Sequence, residues 1–197
     1  MSRLITNSIR STSASADAIT LDGSGNATFP ANVTCSGTAS GFGGGVAVQT
    51  QVHQLSPPTQ VASTSTTFAA TGLTKAITPT SASNKIKASA NLVVWMDSLS
   101  TNGASGGKGI EAQLQITRTI GGTATVLGLM EYSDWSGIAK YPVTFDVWDT
   151  TYNSTAAVTY SVEFRRRYIY SGNNACYVHR DSSHTTIATL TLTEYSG

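Results

Sequence analysis

Charge is scarce in this chain. Lys and Arg number 12 and Asp and Glu 11 in 197 residues, so 12% of positions are charged and the formal net charge is +1. That is about half of the usual charged share of roughly 25%. So small and balanced a charge excludes both a nucleic-acid-binding field and an acidic tail. Long apolar runs are missing too. Nothing approaches the ~18 apolar residues of a membrane span, so no membrane insertion is expected. The opening MSRLITNSIR has no apolar core and is not expected to act as a secretory signal. The sequon-like tripeptides at Asn26, Asn32 and Asn153 then read as chance. No window carries an Ala/Leu/Glu/Lys-rich pattern of helical period longer than about two turns. Cysteine is nearly absent. Cys35 and Cys176 are far apart in sequence. They could form one bridge, but a reducing compartment would keep them as small buried apolar side chains, which is the preferred reading.

Serine, threonine and glycine instead fill roughly a third of the chain, well above ordinary usage. β-branched threonine and valine favour sheets and turns. From about residue 46 apolar side chains recur with period two. Ile110, Ala112, Leu114 and Ile116 point one way and Glu111, Gln113, Gln115 and Thr117 the other, which predicts a strand with one wet face. Ile86, Ala88, Ala90, Leu92, Val94 and Met96 form a second core face. There Val93 and Trp95 make the opposite face apolar as well. The outer face of a two-layer sandwich should be solvated, so another surface is expected to cover these two residues, most economically a second copy of the chain.

Further strands are predicted at 46–53, 60–70, 73–78, 123–131, 143–148, 157–170, 175–180 and 186–195. Turn signals separate them, such as Pro57-Pro58, Gly121-Gly122 and Gly172 to Asn174. The expected fold is all-β: a jelly-roll-like antiparallel β-sandwich of about ten strands over residues 46–197. In the strand from Val158 to Tyr170, the residues Val158, Tyr160, Val162, Phe164, Tyr168 and Tyr170 share a face with Arg166. Either this strand outruns its core and Arg166 reaches water or Tyr168, or Arg166 sits at a subunit contact paired with a carboxylate. Arg165 and Arg167 opposite read as a solvated basic patch.

Upstream the pattern is sparser. Leu4, Ile5, Ile9, Ile19 and Leu21 are spaced too widely for a private core and suit an extended anchoring arm over 1–22 that docks on something else. In 23–36, Phe29, Val33 and Cys35 share a face. One such strand is too small to fold alone, but three copies around an axis could bury Phe29 and Val33 as a short β stalk. Residues 37–45, GTASGFGGG, read as a flexible linker.

Tests for chemistry come out negative. Gly103 to Gly107 matches the spacing of a nucleophile elbow, yet that motif needs a strand before it and a helix after it. Gly106 to Gly109 lacks two of the residues of a phosphate loop. His53, His179 and His184 show no metal-ligand spacing within one chain, and no metal or cofactor is expected. The carboxylates are scattered and give no acid/nucleophile pair for glycoside cleavage. The chain is therefore not expected to be an enzyme. Trp135 and Trp148 stand beside carboxylates on outward parity, a combination suited to sugar rings, although the preferred reading of Trp148 is that it caps a loop or an interface.

Three stretches carry a resemblance. LITNSIRSTSASADAITL at 4–21, running into GNATFPANVTCSG at 25–37, resembles the N-terminal segments of fibre and decoration proteins of tailed bacteriophages. TSTTFAATGL at 64–73 with ITPTSASNKI at 77–86 resembles the opening of a β-sandwich domain common in their virion proteins. SHTTIATLTLTEY at 183–195 is similar to that domain's last strand, which closes on a glutamate. The resemblance implies a homotrimeric virion component assembled in the host cytoplasm. Its arm would bind tail proteins of the adaptor or nozzle type, or the capsid protein, and its sandwich would be displayed toward host surface glycan. A single shaft-like unit fits a short appendage, or alternatively a decoration protein that cements capsomer junctions, better than a long fibre. No site residue transfers from the family.

Overall fold

The structure is a computed structural model that describes residues 8–9, 19–24, 26–28, 46–56, 58–97, 110–134, 138–169, 175–180 and 187–197. The chain divides into two units, Met1–Gly43 and Gly44–Gly197, each taken by itself below. In the first unit, β1 (Ser8–Ile9), β2 (Ile19–Leu21) and β3 (Ala27–Thr28) form an antiparallel sheet in that order. One carboxylate builds the turn between β2 and β3. Asp22 Oδ1 accepts from the backbone of Ser24 (2.9 Å) and of Asn26 (2.8 Å), while Asp22 Oδ2 accepts from Asn26 Nδ2 (2.7 Å). This hairpin joins residues on either side of position 22, where an arm was expected to give way to a stalk. Ile9 pairs with Ile19, yet Ile9 and Leu21 stay exposed. So small a sheet has too little area to be stable alone in water. Leu4, Ile5, Phe29, Val33 and Cys35 lie outside the described residues.

The second unit holds β4 (Ala47–Leu55), β5 (Val61–Ser63), β6 (Ala69–Ile77), β7 (Lys85–Asp97), β8 (Ile110–Ile120), β9 (Thr123–Asp134), β10 (Ile138–Asp149), β11 (Val158–Ile169), β12 (Cys176–Val178) and β13 (Ala188–Tyr195). All pairings are antiparallel. One sheet runs β6-β11-β8-β9. In the other, β10 lies along one side of β7. On the other side of β7, β13 pairs with its first half and β12 with its second, and β4 and β5 flank these in turn. With β13/β12 and β4/β5 each counted as one interrupted strand, the orders are those of a jelly roll, two Greek keys folded into a double sheet.

Parity accounts for the core. Ile86, Ala88, Ala90, Leu92, Val94 and Met96 of β7 are all buried, as the alternation predicts, and they face Leu114, Ile116, Tyr160 and Phe164 of the other sheet. Each large apolar side chain so buried contributes about 1.5–3 kcal/mol. The hairpin from β8 to β9 turns on Gly121 and Gly122, whose φ values of 55° and 84° are the left-handed pair that a two-residue turn requires. Where β9 approaches β10 at the edge of the sandwich, Gly128 makes room for Phe145 and Val147.

Three departures from the sequence reading have local causes. The strand expected over 60–70 breaks after Ser63, because Ser63 Oγ donates to the Ser65 carbonyl and Ser65 Oγ accepts from the Thr67 amide. Hydroxyls that hydrogen-bond their own backbone favour a turn over a ladder. Tyr168 leaves the core face because the β11–β8 register shifts between Arg166 and Tyr168, a bulge that reverses parity. The outward face of β8 is not wet: Gln113, Gln115 and Thr117 are buried under a polar ladder on the sheet surface.

The register also gives the sandwich two distinct ends. At the near end the chain enters, with the Val46 carbonyl accepting from the Ser196 amide, and the connections 78–84, 121–122 and 150–157 lie there. At the far end Asp97 stands opposite Ile138, Ile110 opposite both Asp134 and Ile169, and Cys176 opposite Met96. The connections 98–109, 135–137 and 170–174 all depart from there and lie outside the described residues.

Candidate functional site

The near end is built around two buried carboxylates. Glu194, at the end of β13, is fully buried. Its Oε1 accepts from the Thr80 amide (2.8 Å), Thr80 Oγ1 (2.9 Å) and Asn84 Nδ2 (2.7 Å), and its Oε2 from Gln49 Nε2 (2.6 Å). Burial alone would raise its pKa, but these donors outweigh burial and hold it below the ordinary glutamate value. Asp149 meets Arg118 at 2.8 Å and accepts from Tyr160 Oη (2.8 Å) and from the amide and hydroxyl of Thr151. Burial, with the hydrogen bond to Asp149, pushes the Tyr160 hydroxyl well up. Tyr152 donates to the Ser81 carbonyl (3.1 Å). Burial and the charges of Glu194 and Asp149 push its pKa up to about 12. Every acceptor on these carboxylates is engaged by the chain itself, so this end clasps the connections. Of the two anchors only the closing glutamate left a trace in the sequence. The Arg118–Asp149–Tyr160 set comes from three strands and has no local pattern.

On the outer face of the sheet that contains β7, Val93 and Trp95 are half-buried. The cover over Trp95 comes from its own chain. Lys140, opposite it on β10, places Nζ 5.2 Å from the ring centroid, and Arg180 stands 4.7 Å above the same ring and 4.4 Å above Tyr177. Cation–π contacts of this kind suit a desolvated indole. An outward tryptophan at this position therefore does not demand a second copy. Arg166 is half-buried on the inward side of β11, and its charge acts on the Cys176 thiol. Burial nonetheless pushes that thiol up to about 12, so Cys176 is the inert free cysteine expected. His179 follows β12 at φ 60° and is buried. Burial lowers its pKa, only partly offset by a hydrogen bond to the Thr71 backbone.

The other sheet's outer face carries Arg165 and Arg167, and neither belongs to an open basic patch. Arg165 donates to Gln113 Oε1 (2.7 Å) and the Thr66 carbonyl (2.9 Å) and stacks over Phe68. Arg167 bridges Glu111 and Glu131, 3.1 Å from each, and Gln113 donates to Glu131 as well.

Trp148 faces outward, as its parity predicts, and is 54% exposed. Its ring stacks on Tyr195 with centroids 5.1 Å apart, beside the Lys87–Asp146 ion pair at 2.7 Å. It stands opposite Lys87 at the near end of the sandwich, whereas the strand that leads toward Trp135 ends at Asp134 at the far end. Trp135 itself is outside the described residues. Among the described residues no three His, Cys, Asp or Glu side chains converge as metal ligands. No described helix is long and apolar enough to cross a membrane.

No protein-family model matches the chain, and no curated protein matches it. Among solved structures the chain is similar to the crystal structure of the infectious bursal disease virus VP2 subviral particle, at 10% identity and a TM-score of 0.25. The match covers 85% of this chain and 45% of that one, so the chain spans less than half the length of that protein. At that score the likeness is too loose to bear on function.

Proposed function

We propose that this chain is a structural virion protein of a tailed bacteriophage: a trimeric tail fibre or short appendage. It anchors to the tail through its N-terminal arm and presents the sandwich to glycan on the host surface. The observation that carries this reading is the polarity of the sandwich. The chain enters at one end, and four connections between strands, 64–68, 98–109, 135–137 and 170–174, leave from the other. An anchored display domain needs that division, because loops on a rigid scaffold supply binding surfaces while the attached end needs only stability. The role is structural and not catalytic, in keeping with near-end carboxylates that are fully occupied by their own chain. The exposed Ile9 and Leu21 of the first unit support assembly with other copies or with a tail protein.

A second reading, a decoration protein at capsomer junctions, draws on the shortness of the first unit, whose described strands hold two or three residues each. Particle imaging with an antibody raised against residues 46–197 separates the two. Label on the tail is the expected result. Label spread over the capsid, with particles that lose stability but still adsorb when the protein is removed, would move the assignment to decoration.

A further inference from the structure

We infer that the near end of the β7 sheet is where neighbouring copies of this chain pack in a closed ring, the Trp148–Tyr195 pair of one copy seating on Val46 and Val48 of the next. The inference rests on the trimeric reading above and names the surface that reading leaves open.

Trp148 lies on β10, one edge strand of the sheet, and is 54% exposed. Val48 lies near the start of the opposite edge strand, β4, and Val46 immediately precedes it; they are 44% and 52% exposed. Tyr195, on β13, sits between them: its backbone pairs with Ala47 on one side and Lys85 on the other, and its ring stacks on Trp148. The two apolar surfaces therefore lie on opposite edges of one sheet at the same end. Two different, complementary surfaces are what a head-to-tail interface needs to generate a ring, whereas a two-fold dimer would use one surface twice.

The edges themselves differ. β10 carries Lys140, Pro142 and Asp146, the devices by which sheets discourage edge association. β4, AVQTQVHQL, has no Lys, Arg, Asp, Glu or Pro. Among the described residues its backbone pairs only with β13. An uncharged edge with exposed valines is a docking surface by the same reasoning.

The length of chain before this unit argues that the occupant is a second copy. Residues 37–45, GTASGFGGG, lead directly into Val46. Nine residues span at most about 30 Å even when fully extended. Copies joined upstream hold their near ends together at an effective concentration of about a millimolar, so surfaces too weak to associate when free would pack. A soluble glycan gains nothing from that tether.

The test uses the full-length chain. The substitutions Trp95→Phe and Trp135→Phe leave Trp148 as the sole tryptophan of three. Sedimentation gives the mass, and acrylamide quenching reports the accessibility of Trp148. The expected result is a trimer in which Trp148 is shielded, and in which Val48→Asp raises its quenching about two-fold or more while the mass stays trimeric. Val46→Asp serves as a second probe of the same surface, with circular dichroism to show that each variant is folded. A trimer whose Trp148 is quenched freely, and equally with and without Val48→Asp, overturns this packing and leaves the trimeric reading intact. A monomer at all concentrations overturns both.

Discussion

Replacing Glu194 tests the energetic account of the near end most directly. The carboxylate is fully buried, and no cation reaches it within ion-pairing distance among the described residues; four neutral donors hold it instead. Hydrogen bonds to a charged group are worth about 1.5–3 kcal/mol each, which gives an upper bound well above 6 kcal/mol for four. The true loss in Glu194→Ala is smaller, because some donors keep other partners. Gln49 Nε2 also donates to the Thr78 carbonyl and Asn84 Nδ2 to Thr80 Oγ1. The Thr80 amide loses its acceptor, and the return of a buried charge to water offsets part of the remainder. A destabilisation of about 3 kcal/mol is expected, equivalent to a fall of roughly 6–12 °C in Tm for a unit of this size. Glu194→Gln keeps one oxygen facing Thr80 and Asn84 but turns an amide against Gln49, at a cost of about 1–2 kcal/mol.

The pH dependence carries a sign. Because the folded pKa lies below the unfolded one, the contribution of Glu194 is present above the ordinary glutamate value of about 4.3 and is lost as pH falls through the folded value. The gap between wild type and Glu194→Gln in urea unfolding should therefore be constant near neutrality and narrow below about pH 4.3. Equal stability of Glu194→Ala and wild type at pH 7, or an acid response unchanged by Glu194→Gln, would refute the reasoning.

Two other expectations concern packing. A Cβ at position 128 would lie 2.5 Å from Val147 Cγ1 and 3.2 Å from Phe145 Cζ, so Gly128→Ala should destabilise the sandwich by about 1–3 kcal/mol in chemical unfolding. A neutral effect would mean that β9 and β10 are not packed as described. In a Cys35→Ser chain, the Cys176 thiol should be silent to a thiol reagent at pH 8 until the protein unfolds. Rapid native-state labelling would contradict its burial.

The sequence alone settled the fold class, the parity of the core strands and most strand positions. These depend on period-two alternation and on turn residues such as Gly121 and Gly122, which are local properties. Local sequence also assigned Trp148 to the outer face. Tertiary structure decided what lies beside each residue. Trp95 looked as though it needed a foreign surface, because nothing in its own stretch shows that Lys140 and Arg180, 45 and 85 residues away, cover the ring. Arg165 and Arg167 looked like an open basic patch because Gln113, Glu111 and Glu131 reach them only through strand pairing. Tyr168 left its expected face because of one bulge, whose register is set by the partner strand. The two ends of the sandwich, on which the functional reading rests, exist only once ten strands are ordered into two sheets. Alternation fixes which way a side chain points, but the neighbour that satisfies or covers it comes from distant strands, and only the folded topology brings them together.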